Sequence, residues 1–157
     1  MRKLSFLIIP LTLLSSYTFA LETAPKCIKV VQQQIAGLFE RWNDSLKSGD
    51  AKKVSANYLA DAVLLPTISS QVRLTDAERT DYFKHFLAKK PVGKIDSRTI
   101  RISCNKAIDI GTYTFTFKDK STVSARYTFT YVWDGKEWKI STHHSSEVPT
   151  GKQLKIF

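Results

Sequence analysis

Val123-Ser124-Ala125-Arg126-Tyr127-Thr128-Phe129-Thr130-Tyr131-Val132-Trp133, then Asp134-Gly135, then Glu137-Trp138-Lys139-Ile140-Ser141-Thr142-His143-His144-Ser145-Ser146, is the stretch that decides the fold. Val123, Ala125, Tyr127, Phe129, Tyr131 and Trp133 alternate with polar residues, as a strand with one face on a core requires. Asp-Gly between two such runs is a strong hairpin signal, because glycine adopts the positive φ of a tight turn without steric cost. Trp138, Ile140, Thr142 and His144 recur at the same spacing on the way back. The hairpin therefore sets Arg126, His143 and His144 on a defined sheet surface.

Upstream of Val123 the period stays at two. Lys94 to Cys104 and Ala107 to Phe117 read as two further strands, with short turns at Asn105-Lys106 and Asp119-Lys120, so the last third of the chain is one antiparallel meander. Before Lys94 the period is helical. Ile28, Val31, Ile35, Leu38, Phe39, Trp42 and Leu46 recur at three- and four-residue steps and predict a long helix from Pro25 to Lys47, closed by Gly49. Asp50 is placed to cap a short second helix through about Tyr58. Ala62 to Ile68, interrupted by Pro66, reads as a short edge strand. Thr75-x-x-Glu78 is a capping box opening a third helix, Asp76 to about Leu87, with Tyr82, Phe83, Phe86 and Leu87 as its buried stripe. Helices first and a long antiparallel sheet after predict an α+β fold with three helices packed on a curved, mainly antiparallel sheet. A curved sheet laid against a long helix leaves a cone.

Arg2 and Lys3, the apolar run Leu4 to Leu14 and the small-residue exit Thr18-Phe19-Ala20 form a signal-peptide pattern with cleavage expected after Ala20. The apolar run is shorter than a bilayer span and contains Pro10, so no stable membrane anchor is expected and the product is periplasmic or secreted. Residues 21–157 then form a single domain. The formal charge is +10, of which Arg2 and Lys3 carry two, but the cations are scattered and not interleaved with aromatics. That argues against nucleic-acid binding and for a solvated basic surface. Cys27 and Cys104, the only two cysteines, are expected to pair in an oxidising compartment; the alternative is two buried thiols.

Leu38-Phe39-Glu40-Arg41-Trp42-Asn43, Ser48-Gly49-Asp50, the run Tyr58 to Pro66, Tyr82-Phe83-Lys84-His85-Phe86, Gly111 to Phe115, Ala125 to Phe129, Trp138-Lys139-Ile140 and His143-His144-Ser145-Ser146 together carry a resemblance. The chain resembles the SnoaL-like proteins of the nuclear transport factor 2-like superfamily. Within them it is similar to bacterial relatives of the calcium/calmodulin-dependent protein kinase II association, or hub, domain. The resemblance implies the cone fold and a self-assembling protein, a homodimer or higher homo-oligomer. Activity does not follow from it, because this fold hosts isomerases, cyclases, dehydratases and non-catalytic assembly domains. The hub's pocket arginines align with Gly111, with or next to Phe129, and with Ser145, so its arginine cluster is missing here.

If both flanking turns are two-residue loops, Arg126 stands opposite His143 on one side and Tyr113 on the other. An Arg, a Tyr hydroxyl and an imidazole on one face could bind a small anionic ligand through carboxylate or phosphate. Arg126 could equally pair with a surface carboxylate or lie in a subunit interface. His143 and His144, being adjacent in a strand, point to opposite faces and cannot together chelate one ion, and His85 has no partner at ligand spacing, so neither metal nor cofactor is expected. Each of the two is a candidate general base or a packing residue. Tyr58 and Asp61 lie near the open end of the cone in proteins of this fold, which makes Tyr58 a further candidate ligand-binding residue. Asp61 is therefore a candidate base, or else an Asp that ends the second helix by bonding backbone amides. Trp42 belongs to the first helix's apolar stripe.

Two apolar sheet faces are expected, Tyr127, Phe129, Tyr131, Trp138 and Ile140 on one, and Ile100, Ile102, Phe115 and Phe117 on the other. One faces the helices and the other a second copy. The leading expectation is a non-catalytic or ligand-binding assembly module; the alternative is a metal-independent isomerase, cyclase or hydratase using a pocket Asp or His.

Overall fold

The computed structural model describes residues 26–67 and 69–149, and the expected signal segment lies outside them. Helices α1 (Gln32–Lys47), α2 (Ala51–Ser55) and α3 (Asp76–Leu87) accompany strands β1 (Tyr58–Leu65), β2 (Val92–Ser103), β3 (Lys106–Thr116), β4 (Thr122–Trp133) and β5 (Trp138–Glu147). The strands form one sheet in the order β1-β5-β4-β3-β2, antiparallel except at the edge, where β1 joins β5 in parallel. This is the expected α+β arrangement.

The core lies between α1 and one face of the sheet. Ile35, Phe39, Trp42 and Leu46 form the buried stripe of α1. Phe39 meets Tyr113, Tyr127 and Phe129 at ring-centroid distances of 6.4, 6.5 and 6.2 Å. Trp42 meets Phe83, Phe115 and Phe129 edge-on at 6.5, 6.2 and 5.5 Å, the arrangement that ring quadrupoles favour. Asn43, buried in the same stripe, donates from Nδ2 to the Gly93 carbonyl and accepts from the Gly93 N–H, both at 2.9 Å, and so ties α1 to the start of β2. A Cβ at Gly93 would stand 3.1 Å from Phe115 and 3.2 Å from Phe39. A tighter approach occurs at Gly111, where a Cβ would fall 1.9 Å from the Ser97 carbonyl oxygen beside the bulge between Ile95 and Ser97. Only glycine fits there without backbone movement.

Several expectations are corrected. The first helix begins at Gln32 and not near Pro25, because Lys26 to Val31 is pinned elsewhere. Ile28 N–H donates to Asn105 Oδ1 at 2.8 Å, Asn105 Nδ2 donates to the Lys26 carbonyl at 3.0 Å, and Cys27 is disulfide-bonded to Cys104. Asp50 does cap α2, accepting from the Lys52 N–H at 2.9 Å. That helix stops at Ser55, however, since Asn57 turns its amide back onto the Lys53 and Val54 carbonyls at 3.1 Å each. The edge strand therefore starts at Tyr58, ahead of Ala62.

The register assumed for Arg126 is also overturned. The loop between β3 and β4 is longer than two residues, with the Phe117 N–H donating to the Ser121 carbonyl, so Thr112 faces Arg126 and Tyr113 faces Ala125. After β4, Asp134 Oδ1 accepts from the N–H groups of Lys136 and Glu137, which lengthens that turn as well. A bulge then separates the Thr130↔Thr142 and Tyr131↔Ile140 pairs. The result is Arg126 opposite Ser146 and His143 opposite Phe129. An odd shift moves a side chain to the other face, and Arg126 is exposed on the face away from α1. The expected division of the apolar residues fails for the same reason: Phe115 and Ile100 are buried on the helix-facing side with Tyr127 and Phe129. The outer face carries the exposed Ile108 and Ile110 instead.

Candidate functional site

Between α3, the end of β1 and the helix-facing side of β3 and β5 lies a cavity of about 220 Å³. Its wall is made chiefly by Trp42, Leu64, Tyr82, Phe83, Phe86 and Phe115. The third helix supplies three of these from its stripe, and burial against them holds the Tyr82 hydroxyl's pKa up at about 12. Exposed His85 and Lys89 mark the mouth. The polar groups gather at one end, where strand alternation sends His143 and Ser145 of β5 inward, Tyr113 points in from β3, and Thr67 follows β1.

These groups form a directed chain. Trp42 Nε1–H donates to the Tyr58 hydroxyl at 3.1 Å, and an indole N–H can only donate. The Tyr58 O–H is thereby left to donate to His143 Nδ1 at 2.9 Å, so the proton of the neutral ring sits on Nε2 and faces the Tyr113 oxygen at 3.3 Å. Tyr113 in turn donates to Ser145 Oγ at 2.7 Å, and Ser145 shares a hydrogen bond with Thr67. The imidazole is clamped by rings, stacked on Phe129 at 4.0 Å and edge-on to Trp42 at 5.3 Å. Its pKa is pushed down to about 3, first by burial and then by the neighbouring His144. Burial likewise raises the Tyr58 and Tyr113 hydroxyls well above their usual range. Every group in the chain is thus neutral at physiological pH.

Residues 31–149 match the family model of the calcium/calmodulin dependent protein kinase II association domain. The chain belongs to this family. The association domain is 43% identical to a protein from Xanthomonas campestris assigned to the same domain, with a TM-score of 0.74 over 77% of this chain and 90% of that one. It shares its fold with a nuclear transport factor 2-like protein of unknown function from Pseudomonas putida, 19% identical, TM-score 0.67, over 78% of this chain and 91% of that one. The same holds for a candidate dehydratase of the nuclear transport factor 2-like family from Streptomyces avermitilis, 13% identical, TM-score 0.66, over 75% and 97%. A search of the curated proteins found no match.

Of the residues singled out from the association domain's sequence, Tyr113 and His143 come together at the polar end of the cavity. Tyr58 stands behind the ring and orients it. Arg126 lies on the outer face, where Nη2 donates to the Glu147 carbonyl at 3.2 Å. His144 is exposed on that same face, opposite Thr128. Asp61 is exposed too, in the part of β1 where pairing with β5 is interrupted, and contributes nothing to the cavity wall. The candidate-base roles of Asp61 and His144 in the cone therefore have no geometric basis.

Ser145 and Thr67 were not anticipated. Ser145 follows His143 by two in a strand and was legible by alternation; Thr67, beyond the strand end, was not. Ser145, aligned by resemblance with a hub arginine, brings a hydroxyl in place of a charge. Trp42, expected as core, is core and cavity wall at once.

Proposed function

We propose that residues 21–157, released by removal of the signal peptide, form an exported, self-assembling module whose cavity binds a small molecule without transforming it. The observation that carries this reading is the neutral His143 chain. No carboxylate lines the cavity among the described residues, and an imidazole held down to about 3 is far too weak a base for proton abstraction near neutral pH. An isomerase, cyclase or hydratase using a pocket Asp or His would need such a base among the converging polar groups, whereas the other lining imidazole, His85, stands apart from them at the exposed mouth. The anion reading rested on Arg126, which lies on the other face of the sheet. Export is supported by the three-part leader pattern and by the Cys27–Cys104 disulfide. No helix among the described residues is long and apolar enough to cross a membrane.

Assembly is supported by family membership and by the outer sheet face, where exposed Ile108 and Ile110 stand beside Thr128 and Thr130. Apolar side chains on an uncovered sheet face favour a second copy. Light scattering on the purified protein at micromolar concentration is expected to give a dimer or larger species, and Ile110→Lys to shift it toward monomer. A strict monomer removes the assembly reading. Binding is tested by ligand-dependent thermal stabilisation, which a protein with no working cavity would not show.

A further inference from the structure

We infer that the cavity takes an uncharged, single-ring or similarly compact molecule bearing a carbonyl or ether oxygen, with that oxygen set against Thr67 and Ser145. The inference rests on the small-molecule reading above and specifies its ligand class. The first argument is a count of polar hydrogens. Tyr58, His143, Tyr113, Ser145 and Thr67 each carry one, and four hydrogen bonds join these five groups in series. The Trp42 N–H fixes the direction at the start, so the unused hydrogen falls at the far end, on Thr67 or Ser145. Both residues line the cavity. Ser145 is buried and Thr67 half-buried, so a hydroxyl hydrogen left without an acceptor at this end is costly in proportion to its distance from water, and a ligand oxygen that accepts it removes that cost.

The second argument is charge. Among the described residues no cation stands at the polar end: His143 is bonded at both nitrogens and sealed under Phe129 and Trp42, while Lys89 and His85 are at the exposed rim. A carboxylate seated against Ser145 would lose its hydration without gaining a counter-charge. The third is size. A cavity of about 220 Å³ is larger than the roughly 150 Å³ that holds benzene and smaller than the roughly 300 Å³ where drug-sized sites begin. Walls of Trp42, Tyr82, Phe83, Phe86 and Phe115 offer stacking and edge contacts to a ring.

Three probes of similar shape separate the possibilities by NMR titration at pH 7: acetophenone, ethylbenzene and benzoate. Acetophenone is expected to bind at least about threefold more tightly than ethylbenzene and at least about tenfold more tightly than benzoate. The double variant Thr67→Val with Ser145→Ala is expected to erase the advantage over ethylbenzene while ethylbenzene binding persists. Val123→Trp, which narrows the cavity, weakens all neutral probes.

Equal affinity for acetophenone and ethylbenzene overturns the acceptor requirement. So does an advantage that survives the double variant. Tightest binding by benzoate, abolished by Lys89→Met, overturns the uncharged class in favour of an anion at the rim. If none of the three binds the wild-type protein, the small-molecule reading itself falls. The wild-type ranking stands as a test even if the double variant does not fold.

Discussion

At the scale of single residues, His143 has a hydrogen-bonding partner on each ring nitrogen, Tyr58 at Nδ1 and Tyr113 at Nε2, inside an aromatic cage. The folded protein holds its pKa at about 3, against 6.5 for an unperturbed histidine. As pH falls the unfolded chain therefore takes up the proton first. Stability from the neutral ring is complete above about pH 6.5 and is lost progressively toward pH 3, at most about 4 to 5 kcal/mol in all. Urea unfolding at pH 7 and 4.5 is expected to show the wild type losing about 2 to 3 kcal/mol more than His143→Gln. Equal losses in the two proteins would mean that His143 titrates normally. The alternation of β5 made the separation of His143 from His144 legible in the sequence. Which of them faced the cavity was not, because a single bulge reverses the assignment.

At the scale of elements, one side chain joins α3 to the irregular part of β1. Arg79 is fully buried, and its Nη1 donates to the carbonyls of Ala62 and Leu74 at 2.6 and 3.2 Å while Nη2 donates to Leu59 and Ala60 at 2.9 and 3.0 Å. Three of these carbonyls lie between Tyr58 and Val63, where pairing with β5 is interrupted. A planar guanidinium can reach them together; an ammonium cannot. Arg79→Lys is expected to destabilise by about 2 to 4 kcal/mol, because it leaves the buried Ala62 carbonyl and its part-buried neighbours short of donors, read from the denaturant midpoint at constant m. A loss below about 1 kcal/mol would show that water or β5 replaces the contacts. The α3 capping box and its aromatic stripe were plain in the sequence. Arg79 sits four residues before Phe83 on the same face, but a charged residue there reads as solvent-facing until the carbonyls that receive it are in view.

At the scale of the whole molecule, the Cys27–Cys104 disulfide and the Asn105 hydrogen bonds fasten the segment before α1 to the β2–β3 turn. With a sequence separation of 77 residues, the chain-entropy model assigns the cross-link roughly 4 kcal/mol. A Cys27→Ser, Cys104→Ser double variant is expected to lose about 3 to 4 kcal/mol in equilibrium unfolding. A loss under about 1 kcal/mol would show that the unfolded chain is already restrained there. The sequence by itself determined the α+β class, the helix-facing stripes, the meander and the family, because side-chain period and short capping and turn motifs are local properties. Only the tertiary structure decided the site. Loop lengths and bulges set the strand register, and register chooses the face: it sent Arg126 and His144 outward and gathered His143, Tyr113, Ser145 and Thr67 from three separate stretches of chain into one neutral chain at the end of an aromatic cavity.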